Sequence, residues 1–128
     1  MDLKALQQFA ERALEASQSE RAAHSPPPDF PSEIAVLLIS DKRMASLHQK
    51  FLNQTGPTDV ITFHHGEIFI SVPTARAQAR EFGTCLAHEL QLYLAHGLLH
   101  LGGFDDHSAA DRKRMRAAEQ RILREATV

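Results

Sequence analysis

The stretch from His96 to His107, H-G-L-L-H-L-G-G-F-D-D-H, constrains this chain more than any other. On a helix, the four-residue step from His96 to His100 is a rotation of roughly 400° and a rise of roughly 6 Å, so the two imidazoles lie one turn apart on nearly the same face. Each can reach a single metal ion at about 2.0–2.1 Å. Gly102 and Gly103 follow. Glycine adopts left-handed backbone at no steric cost, so this pair predicts a helix stop and a chain reversal. The reversed chain carries Asp105, Asp106 and His107 back over the helix. Two helical ligands and one from a returning turn leave an open position, the layout of a catalytic rather than a structural zinc site. An i, i+4 histidine pair alone is commonly surface or core filler; the glycine stop and the acid-acid-histidine cluster make it a metal motif.

Register selects the third ligand. In the pattern H-x-x-x-H-x-x-G-x-x-H the glycine falls on Gly103 and the last position on Asp106. A carboxylate binds zinc at about 2.0–2.2 Å, so the expected metal ligands are His96, His100 and Asp106, with one zinc ion per chain. A one-residue bulge in the turn would bring in His107 instead. Asp105 is then the candidate for orienting a ligand imidazole or a bound water. The glutamate of H-E-x-x-H is missing, and Gly97 stands in its place. Glycine inside a helix costs about 1 kcal/mol relative to alanine. Its presence implies either close contact between the helix and a strand or room for a substrate beside the metal. A zinc-peptidase mechanism through that glutamate is excluded. His88 shares roughly the same face but lies roughly 12 Å from His96, which reads as a capping or surface group rather than a fourth ligand.

These residues resemble the YbeY family, the bacterial zinc-dependent endoribonucleases that mature ribosomal RNA. The family signature H-G-x-L-H-L-x-G-[YF]-D-H is matched by His96 to Asp106, and a second motif, P-T-[DN]-V-[LI]-[ST]-F, by Pro57 to Phe63. A G-[DE]-I strand follows at Gly66-Glu67-Ile68. The resemblance covers roughly residues 33–125. It implies a zinc-dependent endoribonuclease of single-stranded RNA, with ribosomal RNA as partner and the ribosome or its proteins beside it. Two positions depart from the family. Its third ligand is usually histidine where this chain has Asp106, and an arginine that usually follows an aromatic residue before P-T-D-V, and serves catalysis, is replaced by Leu52 after Phe51. Arg43, Lys50, Arg76 and Arg80 are the candidate substitutes. With Gly97 in place of the glutamate, the base must come from metal-activated water, Asp105 or a substrate phosphate oxygen; catalytic residues beyond the metal centre are unassigned. The missing arginine keeps open a second reading, a non-catalytic metal-binding ribosome assembly factor. A third, an iron facial triad of two histidines and a carboxylate, lacks support in the surrounding elements.

Composition bounds the partners. The 128 residues read as one domain, 1–128. A formal net charge of -2 gives no global attraction to nucleic acid, so an RNA partner needs a local basic patch. Arg76 and Arg80 form an i, i+4 pair, and the last helix carries Arg112, Lys113, Arg114, Arg116, Arg121 and Arg124. Such a run is commonly a solvated face; the alternative is phosphate contact that positions RNA without reading sequence. Aromatic support for base stacking is thin, with one Tyr, seven Phe and no Trp. The single Cys85 fits a reducing, cytoplasmic setting. No run reaches transmembrane length, and the first residues, with Asp2 and Glu11, lack an apolar signal core.

Periodicity places the elements. Leu3, Leu6, Phe9, Ala10, Ala13 and Leu14 predict a packing helix over 2–18. Ser25 to Pro31 reads as an extended proline-rich connector. Ile34–Ile39 is a continuous apolar run and hence a buried strand, and Ser40 caps a helix to about Leu52. Val60–Phe63 and Ile68–Val72 form strands around a hairpin turn at His64 to Glu67. Pro73 opens a helix that Gly83 ends. The metal-bearing helix is expected from about Thr84 to Leu101, and Ser108 caps a last helix with Asp111 at its third position. His64 and His65 read as solvated turn residues and Glu89 as a helix-surface charge. The whole predicts an α+β fold, an α/β sandwich in which a small mixed sheet packs against helices and a zincin-like metal helix is central.

Overall fold

Serine caps set where three of the helices begin. A computed structural model of the chain describes residues 2–22, 30–56 and 58–127. Its order is α1 (Leu3–Ala22), β1 (Ala35–Ile39), α2 (Asp41–Leu52), β2 (Val60–Phe63), β3 (Glu67–Ser71), α3 (Val72–Phe82), α4 (Leu86–Leu101) and α5 (Ala109–Ala126). Ser40, Ser71 and Ser108 each accept a backbone N–H from three residues on, opening α2, α3 and α5. Because Ser71 is a cap, Val72 opens α3 and does not extend β3, as the sequence pattern had suggested. The helix that carries His96 and His100 also starts later than expected, at Leu86. The N–H of Thr84 donates to the Ala79 carbonyl and so completes the end of α3 behind the left-handed Gly83. Helix α1 runs four residues past its expected end at 18. Most of the expected proline-rich connector, residues 25–29, lies outside the described residues, as does Pro57 of the second motif.

The sheet has the order β1-β3-β2, with β1 parallel and β2 antiparallel to the central β3. It is therefore mixed, as the sequence implied. Side chains alternate between its faces. Val36, Leu38, Val60, Ile68 and Ile70 join the larger core with α1, α4 and α5. Leu37, Ile39, Ile61, Phe63 and Phe69 pack with Met44 and Leu47 of α2 on the other face. Helix α4 is the most enclosed: Leu90, Leu94, Ala95, Leu98 and Leu99 are all at most 2% exposed. Among the described residues, no helix is long and apolar enough to cross a membrane.

Gly97 explains how α4 lies so close to the sheet. A Cβ there would sit 3.0 Å from two carbons of Ile68 and 3.1 Å from Thr62 Oγ1. Of the two readings the sequence left open, the glycine is thus the helix–strand contact and not substrate space: its missing side chain faces the core.

Candidate metal centre

The end of α4 builds the site. Gly103 has φ 100°, its N–H donates to the His100 carbonyl, and the Phe104 N–H donates to that of Leu99. This is the Schellman pattern of a helix end reversed by glycine. It places the Phe104 carbonyl 3.1 Å from Nδ1 of His100. One turn earlier, Nδ1 of His96 lies 2.5 Å from Oε1 of Glu119 on α5. Both partners are acceptors, so each Nδ1 carries a hydrogen, and in the neutral ring each Nε2 keeps a lone pair.

The two Nε2 atoms are 3.0 Å apart. Asp106 Oδ2 lies 4.0 Å from that of His96 and 3.9 Å from that of His100. Two lone pairs aimed at each other at this distance repel unless a proton or a cation lies between them. The centre of the triangle lies about 2.1 Å from all three atoms, within the reach of zinc–nitrogen and zinc–oxygen bonds. The donor set therefore fits a metal ion, and among the described residues His96, His100 and Asp106 form a group able to hold one. The ring nitrogens are also held as metal-ligating histidines are, by a carboxylate and by a backbone carbonyl.

Burial and the local charges divide the pair. Burial lowers the pKa of His96, but the hydrogen bond and charge of Glu119, helped by Asp106 and Asp59, outweigh it and hold the imidazole above its ordinary value. Burial and the neighbouring His96 push His100 below its own. Asp59 belongs to the second sequence motif, so folding brings the two motifs within electrostatic reach. Its Oδ1 accepts the N–H of Val60 and its carbonyl that of Ser71, which holds it where β2 begins. Burial, Asp59 and Glu89 together push Tyr93 upward.

Other expected residues fall elsewhere. His107 is exposed and outside the group; its N–H donates to Asp105 Oδ1. Asp105 is exposed, and Glu119 is the carboxylate that holds the His96 imidazole, a role for which the sequence offers Asp105 as a candidate. Glu119 had a signal that went unread. At helical spacing it shares a stripe with Met115, Ala118 and Ile122, all buried, and a glutamate on an apolar stripe needs a polar partner. Glu89 is buried at 3% exposure in the first turn of α4, which corrects its reading as a surface charge. His64 and His65 are exposed turn residues, with His65 paired to Glu67 and stacked on Phe63. His88 is half-buried on α4 and is not part of the group.

The model of the family described as Endoribonuclease YbeY matches residues 1–127. The chain belongs to the YbeY family. It is 36% identical over 114 residues to an Endoribonuclease YbeY of Heliobacterium modesticaldum, a match covering 73% of this chain and 69% of that one. It is 35% identical over 98 residues to that of Bacteroides thetaiotaomicron, covering 71% and 72%. A relative from Anaeromyxobacter is 36% identical over 103 residues, covering 73% of this chain but 54% of the relative. A solution structure of a Thermotoga maritima protein is similar over 98% of this chain and 85% of that one, with a TM-score of 0.65 and 27% identity.

Leu52 is 48% exposed at the end of α2, beside Phe51, whose ring meets that of Phe63 edge-on. The cavity of about 150 Å³ at the metal group is lined by His96, Asp106, Arg112, Met115, Arg116 and Glu119. None of the expected substitutes Arg43, Lys50, Arg76 and Arg80 is in that lining; the guanidinium groups there come from α5.

Proposed function

We propose that this chain is a zinc-dependent endoribonuclease that cuts single-stranded RNA during ribosomal RNA maturation. The observation that carries this reading is the convergence of His96 Nε2, His100 Nε2 and Asp106 Oδ2 in a member of an endoribonuclease family. Two imidazoles and one carboxylate with an open position are a donor set that catalytic zinc takes. When bound, zinc supplies Lewis acidity and lowers the pKa of a water toward neutrality. Glu119 holds His96 in the tautomer that leaves Nε2 free, and the Phe104 carbonyl does the same for His100. Asp59 adds negative charge near His96. Ribosomal RNA, the ribosome and a cytoplasmic setting belong to the same reading, as does residues 1–128 acting as one domain.

The experiment is elemental analysis of gently purified protein together with cleavage of a single-stranded RNA by the same sample. One zinc per chain and cleavage that is lost with chelator and in His96→Ala support the reading. Equal cutting by wild type and His96→Ala would mark the activity as a contaminant. The non-catalytic assembly factor, favoured by Leu52 at the family's arginine position, would then replace it.

A further inference from the structure

Helix α5 presents Arg112, Met115, Arg116 and Glu119 at i, i+3, i+4 and i+7, a single helical face. That face forms a wall of the cavity holding His96 and Asp106. The α5 cations are not equivalent. Arg114 pairs with Asp111, and Arg121 makes a two-pronged pair with Glu20 at 2.7 and 2.8 Å. Arg112 and Arg116 have no carboxylate within 4.0 Å among the described residues. The carboxylates beside them are committed, Glu119 to Nδ1 of His96 and Asp106 toward the two Nε2 atoms. Arg112 Nη1 donates to the carbonyls of Asp106 and His107 at 3.4 Å each, which aims its remaining donors from the loop that carries the metal-group carboxylate. Two exposed guanidinium groups without an ion-pair partner among the described residues, four residues apart and beside a metal group, match the oxygens of a phosphodiester. Arginine is the side chain whose planar fork meets phosphate oxygens in pairs.

We propose that Arg112 and Arg116 form the phosphodiester-binding wall of this site, with their guanidinium groups contacting the RNA backbone beside the metal. They supply from α5 the positive charge that Leu52 does not supply from α2. This rests on the RNA reading above but assigns residues that neither the motifs nor the family position indicate.

The test uses the metal-loaded protein and a fluorescein-labelled single-stranded 2′-O-methyl RNA, with affinity followed by anisotropy across a sodium chloride series. Each lost phosphate contact should flatten the log–log slope by about 0.7. Arg112→Gln with Arg116→Gln should flatten it by about 1.4, the paired lysine substitutions should restore it, and Arg76→Gln with Arg80→Gln should leave it unchanged. Zinc content measured on the same samples separates a phosphate contact from a loop brace. Should Arg112→Gln disturb the loop, Arg116→Gln alone, which makes no hydrogen bond or ion pair to that loop among the described residues, should still flatten the slope by about 0.7 with zinc retained. A wild-type slope in the glutamine variants, or flattening by the α3 pair instead, overturns the proposal. Binding with the expected slopes but without cleavage of ordinary RNA supports this wall and overturns only the nuclease reading. No RNA binding by wild type overturns both.

Discussion

The Glu119 carboxylate lies 2.5 Å from Nδ1 of His96, joining α5 to α4 across 23 residues of sequence. Glu119 is 9% exposed, so its charge is largely withdrawn from water and is matched by the imidazole N–H. The contact fixes the ring's tautomer and strengthens Nε2 as a donor. Glu119→Ala is therefore expected to weaken zinc binding about 10–100-fold, the usual cost of losing such a partner. Asp105→Ala should leave affinity near wild type. Competition against a chromophoric chelator measures both, and equal effects of the two substitutions would contradict the assignment.

Asp106 and His107 are adjacent but differently placed. Only Asp106 approaches both Nε2 atoms, at 4.0 and 3.9 Å. Asp106→Ala should lose stoichiometric zinc on dialysis, since two protein ligands hold the ion poorly. His107→Ala should retain it. Elemental analysis decides, and the opposite order would mean that the turn re-registers around the ion.

Zinc affinity should fall on acidification, starting above the ordinary histidine value. Metal requires the Nε2 lone pair of His96, and Glu119 favours the protonated ring in the metal-free fold. A raised pKa means that proton competition begins at higher pH and grows as pH falls. His100, already shifted down, competes only at lower pH. Glu119→Gln removes the charge that raises His96 and should move the onset of loss to lower pH. Chelator competition at a series of pH values tests this; an affinity flat between about pH 8 and 6 would exclude it.

Gly97→Ala should destabilise the fold. Alanine improves helix propensity by about 1 kcal/mol. Its Cβ, however, would stand 3.0 Å from Ile68, which is 0% exposed on the central strand and would have to shift within the core to admit it. Overpacking of that kind costs about 1–3 kcal/mol, so a lower melting temperature is expected. Thermal unfolding of the zinc-free and zinc-loaded forms checks it, and an unchanged or higher melting temperature in both would show that α4 can lift from the sheet.

The helix bearing His96 and His100, its glycine stop and the return of Asp106 were legible in sequence because they are local. A four-residue step fixes a shared helix face, and a left-handed glycine fixes the reversal, whatever surrounds them. The strands and the Ser40 and Ser108 caps were legible for the same reason. Element ends were less so where one element's last bond falls on the next element's expected start, as Thr84 does for α3 and Ser71 for β3. What surrounds the metal group was decided by packing alone. Glu119 reaches His96, and Arg112 and Arg116 share its cavity, only because α5 lies against α4 with one particular face inward. Asp59 acts on His96 because β2 is laid beside the same helix. Gly97 reads as a packing contact only once Ile68 is opposite it. Those relationships depend on the relative rotation of packed elements, which the burial of many apolar side chains sets collectively and no single spacing along the chain encodes.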